Sequence, residues 1–204
     1  SELMHSIIGL RECEGTIILD DILYEKRSVI ASKNRGLVLV SEDRREEQAF
    51  LERPVRENLT SAMLERISTR RGWLRPRSEK AVAEKLIADF NVKTASAEAD
   101  LGSMSGGNQQ KAVLARWLSL EPTVCLLDEP TKGIDVGAKA QVQEIIFALG
   151  GSGVGVVVVS SDLPELFQVA DRILVMRQGA IAAEFVRSEF DAAKILRAAS
   201  GGKE

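Results

Sequence analysis

Apolar residues follow two rhythms along the chain, and the change between them divides it. Residues 15–19 (GTIIL) and 36–40 (GLVLV) are short apolar runs without polar alternation, the pattern of strands covered on both faces. A short helix is expected over 28–33. From about residue 41 to 101 the texture becomes charged, strand-poor and helical, with 55–67 and 78–90 as the helices. In the second, Val82, Leu86 and Phe90 recur at i+4 and make one apolar face, and Pro54 and Pro76 punctuate the starts. The α/β rhythm then resumes with helix 107–120, strand 123–127, helix 138–149, strand 154–159 and helix 163–169. The first of these stops ahead of Pro122, because the residue before a proline is pushed out of the helical region. Runs 172–176 and 180–185 flank Gln178-Gly179, which suits a tight hairpin turn, and a helix over 188–199 follows. The order predicts an α/β core with a helical subdomain inserted into it.

At 204 residues and 45% hydrophobic, the chain has enough apolar mass for one compact domain, or one core carrying a subdomain. Its net charge of −3 gives no electrostatic case for a nucleic-acid partner, which calls for a basic excess. Arg44, Arg45, Arg70, Arg71, Arg75 and Arg77 cluster in the first half, but Glu42, Asp43, Glu46 and Glu47 dilute them into a solvated surface. Cys13 and Cys125 are too few and too far apart for a disulfide framework or a metal site, and Cys125 reads as a small core residue. There is no secretory apolar region and no apolar stretch near ~18 residues, which predicts a soluble, cytoplasmic chain. Any membrane role then comes through a partner.

Two stretches carry chemistry. Residues 124–127 form a buried strand that ends in Asp128-Glu129, and the C-terminal end of a parallel strand is where open sheets bind ligands. One carboxylate there can hold Mg²⁺ through water while the next orients an attacking water. Taken alone, the same pattern is also an ordinary strand-to-turn junction with solvated acids. About twenty residues earlier, Ser105-Gly106-Gly107-Asn108-Gln109 opens a helix. Ser105 is placed to cap it, the glycines admit a phosphate to bare backbone N–H groups, and the helix dipole favours an anion. Alone, this is also a plain capped helix after a glycine turn.

Together these stretches resemble the ATP-binding-cassette family. MSGGNQQ (104–110) resembles its signature, VCLLDEPTKGIDV (124–136) its Walker B strand, catalytic glutamate and D-loop, and DRILVMRQGAI (171–181) the strand pair after its switch region. More narrowly, SGGNQQK (105–111), SEDRR (41–45), PVRENL (54–59) and DEPTKGIDVGAK (128–139) resemble the second cassette of the tandem ATPases in bacterial ribose-, xylose- and galactose-type sugar importers. The resemblance implies a P-loop NTPase fold of a mostly parallel sheet flanked by helices. Residues 1–41 and 123–204 would form its RecA-like core, and 42–122 the Q-loop-like segment and helical signature subdomain. It implies ATP and Mg²⁺ as cofactors, with Asp128 serving the metal and Glu129 as the water-orienting base. Ser105, Gly106, Gly107, Asn108 and Gln109 would serve ATP held by an opposing cassette, with Asp135 in the D-loop. It implies as partners a second nucleotide-binding domain, transmembrane permease subunits and, indirectly, a periplasmic sugar-binding protein, with the chain on the inner face of the cell membrane. Residues 42–59 would face the permease, although by sequence alone they read equally as a charged loop.

Three departures from the family pattern stand out. The Q-loop glutamine is here Glu42, and the switch histidine is here Ser161, which cannot act as an imidazole partner to a phosphate. No Gly-x-x-x-x-Gly-Lys-Ser/Thr occurs in the 204 residues. Ser1-Glu2-Leu3-Met4 resembles the close of that phosphate loop, which would make Ser1 a Mg²⁺-facing hydroxyl and put the glycines just upstream. On that reading the fold lacks its first strands and phosphate loop, has an unpaired sheet edge and, by itself, neither binds ATP well nor turns it over. His5 is expected in a partly buried structural role, and Trp117 in the core rather than against adenine. Three functions follow: an energy-coupling ATPase of a sugar importer, a non-hydrolytic partner whose signature completes another cassette's site, and a soluble cassette ATPase of DNA repair or translation. Glu129 favours the first, Glu42, Ser161 and the absent loop favour the second, and SEDR and NQQK argue against the third.

Overall fold

The all-apolar runs become a parallel sheet in the computed structural model, which describes residues 1–24, 28–43 and 47–201. The chain divides into two compact units, Ser1–Val159 and Ser160–Glu204. The first opens with helix α1 (Glu2–Ile8), a two-residue antiparallel pair β1 (Ile18–Leu19) and β2 (Ile22–Leu23), and helix α2 (Val29–Asn34), capped by Ser28. Strand β3 (Leu37–Val40) is buried at every position, as its unbroken apolar run predicts. It pairs in parallel with β4 (Val124–Asp128), and β4 with β5 (Gly155–Val159), in the order β3-β4-β5. Met4 and Ile8 of α1 pack with Tyr24, Leu37, Leu39 and Leu126. Among the described residues β5 has one neighbour in this sheet, and its valines stay partly exposed. Arg44, Arg45 and Glu46 of the charged cluster and of the SEDRR match lie outside the described residues.

Between β3 and β4 the chain is helical: α3 (Val55–Thr60), a 3₁₀ turn at Ser61–Met63, α4 (Leu64–Ile67), α5 (Pro76–Asp89) and α6 (Gly106–Leu118). These helices enclose a second cluster of Val55, Leu59, Leu86, Leu101, Ala112 and Ala115, with Val82 and Phe90 against it, so the i+4 stripe is the buried face. The expected single helix over 55–67 is broken in the middle. Thr60 Oγ1 lies 2.9 Å from the Arg56 carbonyl and Ser61 Oγ 3.1 Å from that of Asn58, and such back-bonding bends helices. Helix α7 (Val136–Gly151) then connects β4 to β5.

The second unit holds α8 (Leu163–Val169), the hairpin β6 (Arg172–Arg177) and β7 (Ala180–Val186), and α9 (Ala192–Ser200). Gln178 and Gly179 take φ of 50° and 80°, the left-handed pair that a two-residue hairpin turn requires. Its core is Ile173, Val175 and Ile195, flanked by the stacked rings of Phe167 and Phe190 at 5.4 Å. The closing helix starts later than expected, because Asp191 caps it by accepting from Lys194 N at 2.9 Å. Likewise the strand in the 15–19 run is only Ile18–Leu19, and Ile18 is exposed, so this run is a surface antiparallel pair and not a strand covered on both faces. No described helix is long and apolar enough to cross a membrane.

Candidate functional site

Because β3, β4 and β5 run in parallel and in register, Val40, Leu127 and Val158 stand level, and the loops after β3 and β4 leave from one end of the sheet. Asp128 closes the central strand there. It is 1% exposed, and both its carboxylate oxygens are buried without a hydrogen-bond donor among the described residues. A buried carboxylate with no donor is costly unless a cation accompanies it. The backbone nitrogen of Ser1, which holds the N-cap position of α1, lies 3.7 Å from Asp128 Oδ2. Among the described residues no three His, Cys, Asp or Glu side chains cluster to hold a metal. That donor set fits Mg²⁺, which keeps several waters and takes one or two carboxylates plus phosphate oxygens.

Glu129, the next residue, has φ of 47° and is half-buried, and its N–H donates to the Val159 carbonyl at 2.8 Å. A left-handed non-glycine residue stores about 1–3 kcal/mol, and such residues concentrate at functional sites. Lys132 N–H donates back to the Glu129 carbonyl at 3.1 Å. The Lys132 ammonium forms an ion pair with Glu42, in the loop after β3. Its pKa is raised, first by the hydrogen bond to Glu42 and then by that carboxylate's charge, with smaller contributions from Glu129 and Asp128 against the desolvation that lowers it. Ser1, Glu42, Asp128 and Glu129 are therefore linked at one end of the sheet. Ser161 follows β5 by two residues and belongs to the second unit.

The glycine-rich segment forms a separate constellation. Ser105 occupies the N-cap position of α6, but its hydroxyl accepts nothing from the first-turn amides, against the expected cap. The Asn108 amide reaches back and donates to Ser105 Oγ at 2.9 Å, while Asn108 Oδ1 accepts from Lys93 N at 2.8 Å. Gly106 starts the helix. Gly107 is buried against α7, where a Cβ would stand 2.3 Å from that of Ala138. Gln109 is 3% exposed and donates to the Met104 carbonyl at 3.0 Å, bracing the turn before the helix. Asp135 caps α7, its Oδ1 accepting from Ala138 N at 3.0 Å. A cavity of about 310 Å³ lies between the two helix starts, lined among others by Lys93, Ser105, Asn108, Lys111, Asp135 and Gln141.

Sequence reading missed Lys93, Lys111 and Lys132. Lys111 is 2% exposed and donates to the Asn91 carbonyl, and burial lowers its pKa, with the nearby Lys93 charge adding to the effect. Lys132 reads in the sequence only as a loop charge after a predicted strand, and its partner Glu42 emerges from β3 lying beside β4. His5 and Trp117 are both half-buried, and the Arg116 guanidinium lies 6.0 Å from the Trp117 ring.

A family model described as ABC transporter matches residues 1–132. The ribose import ATP-binding protein RbsA 1 of Rhizobium meliloti (strain 1021) is 41% identical over 202 residues, covering 98% of this chain and 40% of that protein. The arabinose import ATP-binding protein AraG of Rhizobium johnstonii is 42% identical over 192 residues, covering 91% of this chain and 37% of that protein. The chain thus spans about two fifths of the length of these relatives. Among solved structures, the dimeric post-hydrolysis state of the ATP-binding cassette MJ0796 bound to ADP and Pi superposes with a TM-score of 0.75 at 21% identity, over 93% of this chain and 81% of that one. The ADP conformation of the cassette MJ1267 gives 0.78 at 19% identity, over 99% and 83%. At such identities the likeness establishes the fold.

Proposed function

Because the chain belongs to the ABC transporter family, we propose that it is a nucleotide-binding domain that energises uptake of a simple sugar through a membrane permease. The names of the relatives support ribose or arabinose as the class of cargo. The observation that carries the reading is Asp128, a buried carboxylate whose two oxygens have no hydrogen-bond donor among the described residues, at the ligand end of the central strand and followed directly by Glu129 at φ 47°. Asp128 holds Mg²⁺, with the Ser1 hydroxyl as a second position facing it. Bound there, Mg²⁺ would supply neutralising charge for the ATP phosphates, and Glu129 orients the attacking water. Ser105 through Gln109, with Asp135, serve a nucleotide held on a second cassette, so the two constellations belong to two different ATP sites. Residues 42–122 act as the helical signature subdomain, 1–41 and 123–204 as the core, and 42–59 face the permease at the inner face of the membrane. A periplasmic sugar-binding protein delivers the cargo.

A second reading makes the chain a non-hydrolytic partner that lends its signature helix to the other cassette. It is favoured by Glu42, whose carboxylate is held by Lys132, and by serine at position 161. Both readings require the signature constellation. In membrane vesicles carrying the assembled transporter, Ser105→Arg is expected to abolish ATP-driven uptake of ribose and arabinose, and undiminished uptake contradicts both. The readings part on Glu129, which only the first requires. The 204 residues by themselves are expected to bind nucleotide weakly, since they hold no Gly-x-x-x-x-Gly-Lys-Ser/Thr, and a tight Mg-ATP complex of this chain contradicts that.

A further inference from the structure

Glu42 and Lys132 are 90 residues apart in sequence, yet they join the two loops that leave β3 and β4 side by side. Both side chains are largely exposed, at 40% and 61%. An exposed pair of this kind contributes little to stability, because water screens it. Its consequence is positional. The segment from Glu129 to Lys132 is already closed on itself by the Lys132 N–H to Glu129 carbonyl bond and anchored to β5 by the Glu129 N–H to Val159 carbonyl bond. The Lys132–Glu42 pair adds the third tether, to β3's loop, and keeps an ammonium in the field of the Asp128 and Glu129 carboxylates. The departure from glutamine at position 42 then has a counterpart, a lysine placed to meet it.

We propose that Glu42 and Lys132 form a charge latch that positions Glu129 by tying the loop after β3 to the loop after β4. The inference rests on the reading of Glu129 as the water-orienting base, and it makes Lys132 and Glu42 positioning residues. It opposes the simplest expectation from family pattern, in which restoring glutamine at position 42 restores or raises turnover. With the latch, Glu42→Gln removes the charged tether between the two loops and loosens Glu129 instead.

The test is ATP turnover by the assembled transporter carrying Glu42→Gln, Lys132→Met, both together, or Lys132→Arg. Each single uncharging is expected to lower kcat about tenfold, within the roughly 100-fold that a 1 Å misplacement produces, while KM for ATP changes less than about twofold. The double variant is expected to be no slower than the slower single variant, because the two residues act as one unit. Lys132→Arg, which keeps the charge, is expected to stay within about twofold of the parent. Turnover unchanged or raised by Glu42→Gln, or losses that multiply in the double variant, overturn the latch. A second measurement separates this from the reading of Glu129. In the 204-residue chain, amide exchange at Glu129 and Lys132 is expected to quicken in either single variant and no further in the double. Unchanged exchange overturns the latch whatever the turnover. Quickened exchange in a transporter indifferent to Glu129→Gln keeps the latch and removes only the base.

Discussion

Gly107 and Ala138 meet so closely that a Cβ on residue 107 would lie 2.3 Å from the Ala138 Cβ. This contact seats the start of α6 against the start of α7, whose N-cap is Asp135. The second glycine of the SGG run is therefore required by helix packing, whatever anion the segment meets. It also holds residues 105–109 and Asp135 on one structural unit, with a Cβ at 107 only 3.6 Å from Asp135 Oδ2.

Gly107→Ala is expected to destabilise the chain by about 1–3 kcal/mol through overpacking. The sign is informative, because glycine to alanine within a helix ordinarily stabilises by about 1 kcal/mol. The shift in urea midpoint at unchanged slope measures it, and a raised midpoint contradicts the contact.

Glu79 on α5 is 5% exposed in its side chain, where it accepts from Arg56 and pairs with Thr60 Oγ1 at 3.0 Å. The Arg56 guanidinium also reaches Glu98 Oε1 at 3.1 Å, joining α3, α5 and the segment leading to α6. Arg56→Met leaves a buried carboxylate without its cation and is expected to cost about 3 kcal/mol. Arg53→Met removes an ion pair at 3.9 Å between exposed partners and is expected to cost less than about 0.5 kcal/mol. Paired urea titrations at neutral pH check the contrast.

The two cysteines should react very differently. Burial pushes the Cys125 thiol up to about 12, while Cys13 is exposed. At pH 8 the thiolate fraction of Cys125 is then about one part in ten thousand, and only thiolate is alkylated. Iodoacetamide is expected to label Cys13 in the native chain and Cys125 only in denaturant, as read by peptide mass spectrometry.

Much of this architecture was legible in the residues. The unbroken apolar runs of β3 and β4 announced strands buried on both faces, and Gln178-Gly179 announced its hairpin, because local chemistry decides both. Short-range side-chain bonds that periodicity does not register, and one tertiary contact, decided the rest. Ser105 reads as a cap, yet Asn108 takes its hydroxyl, and a run that reads as one helix over 55–67 bends where Thr60 and Ser61 bond backwards. Asp128 and Glu129 were visible as a strand-end pair. The partnership of Glu42 with Lys132 was not, because it depends on β3 lying beside β4, a neighbour relation that no local pattern encodes.

The central claim is that Glu129 orients the water that attacks ATP held in this chain's own site. Steady-state ATP turnover by the assembled transporter, parent against Glu129→Gln, tests it most directly. The amide keeps the size of the side chain and removes its basicity, so nucleotide binding is expected to persist while kcat falls at least about 100-fold. Turnover within twofold of the parent, in a transporter that Ser105→Arg silences, contradicts the claim and leaves the chain as the partner that completes another cassette's site.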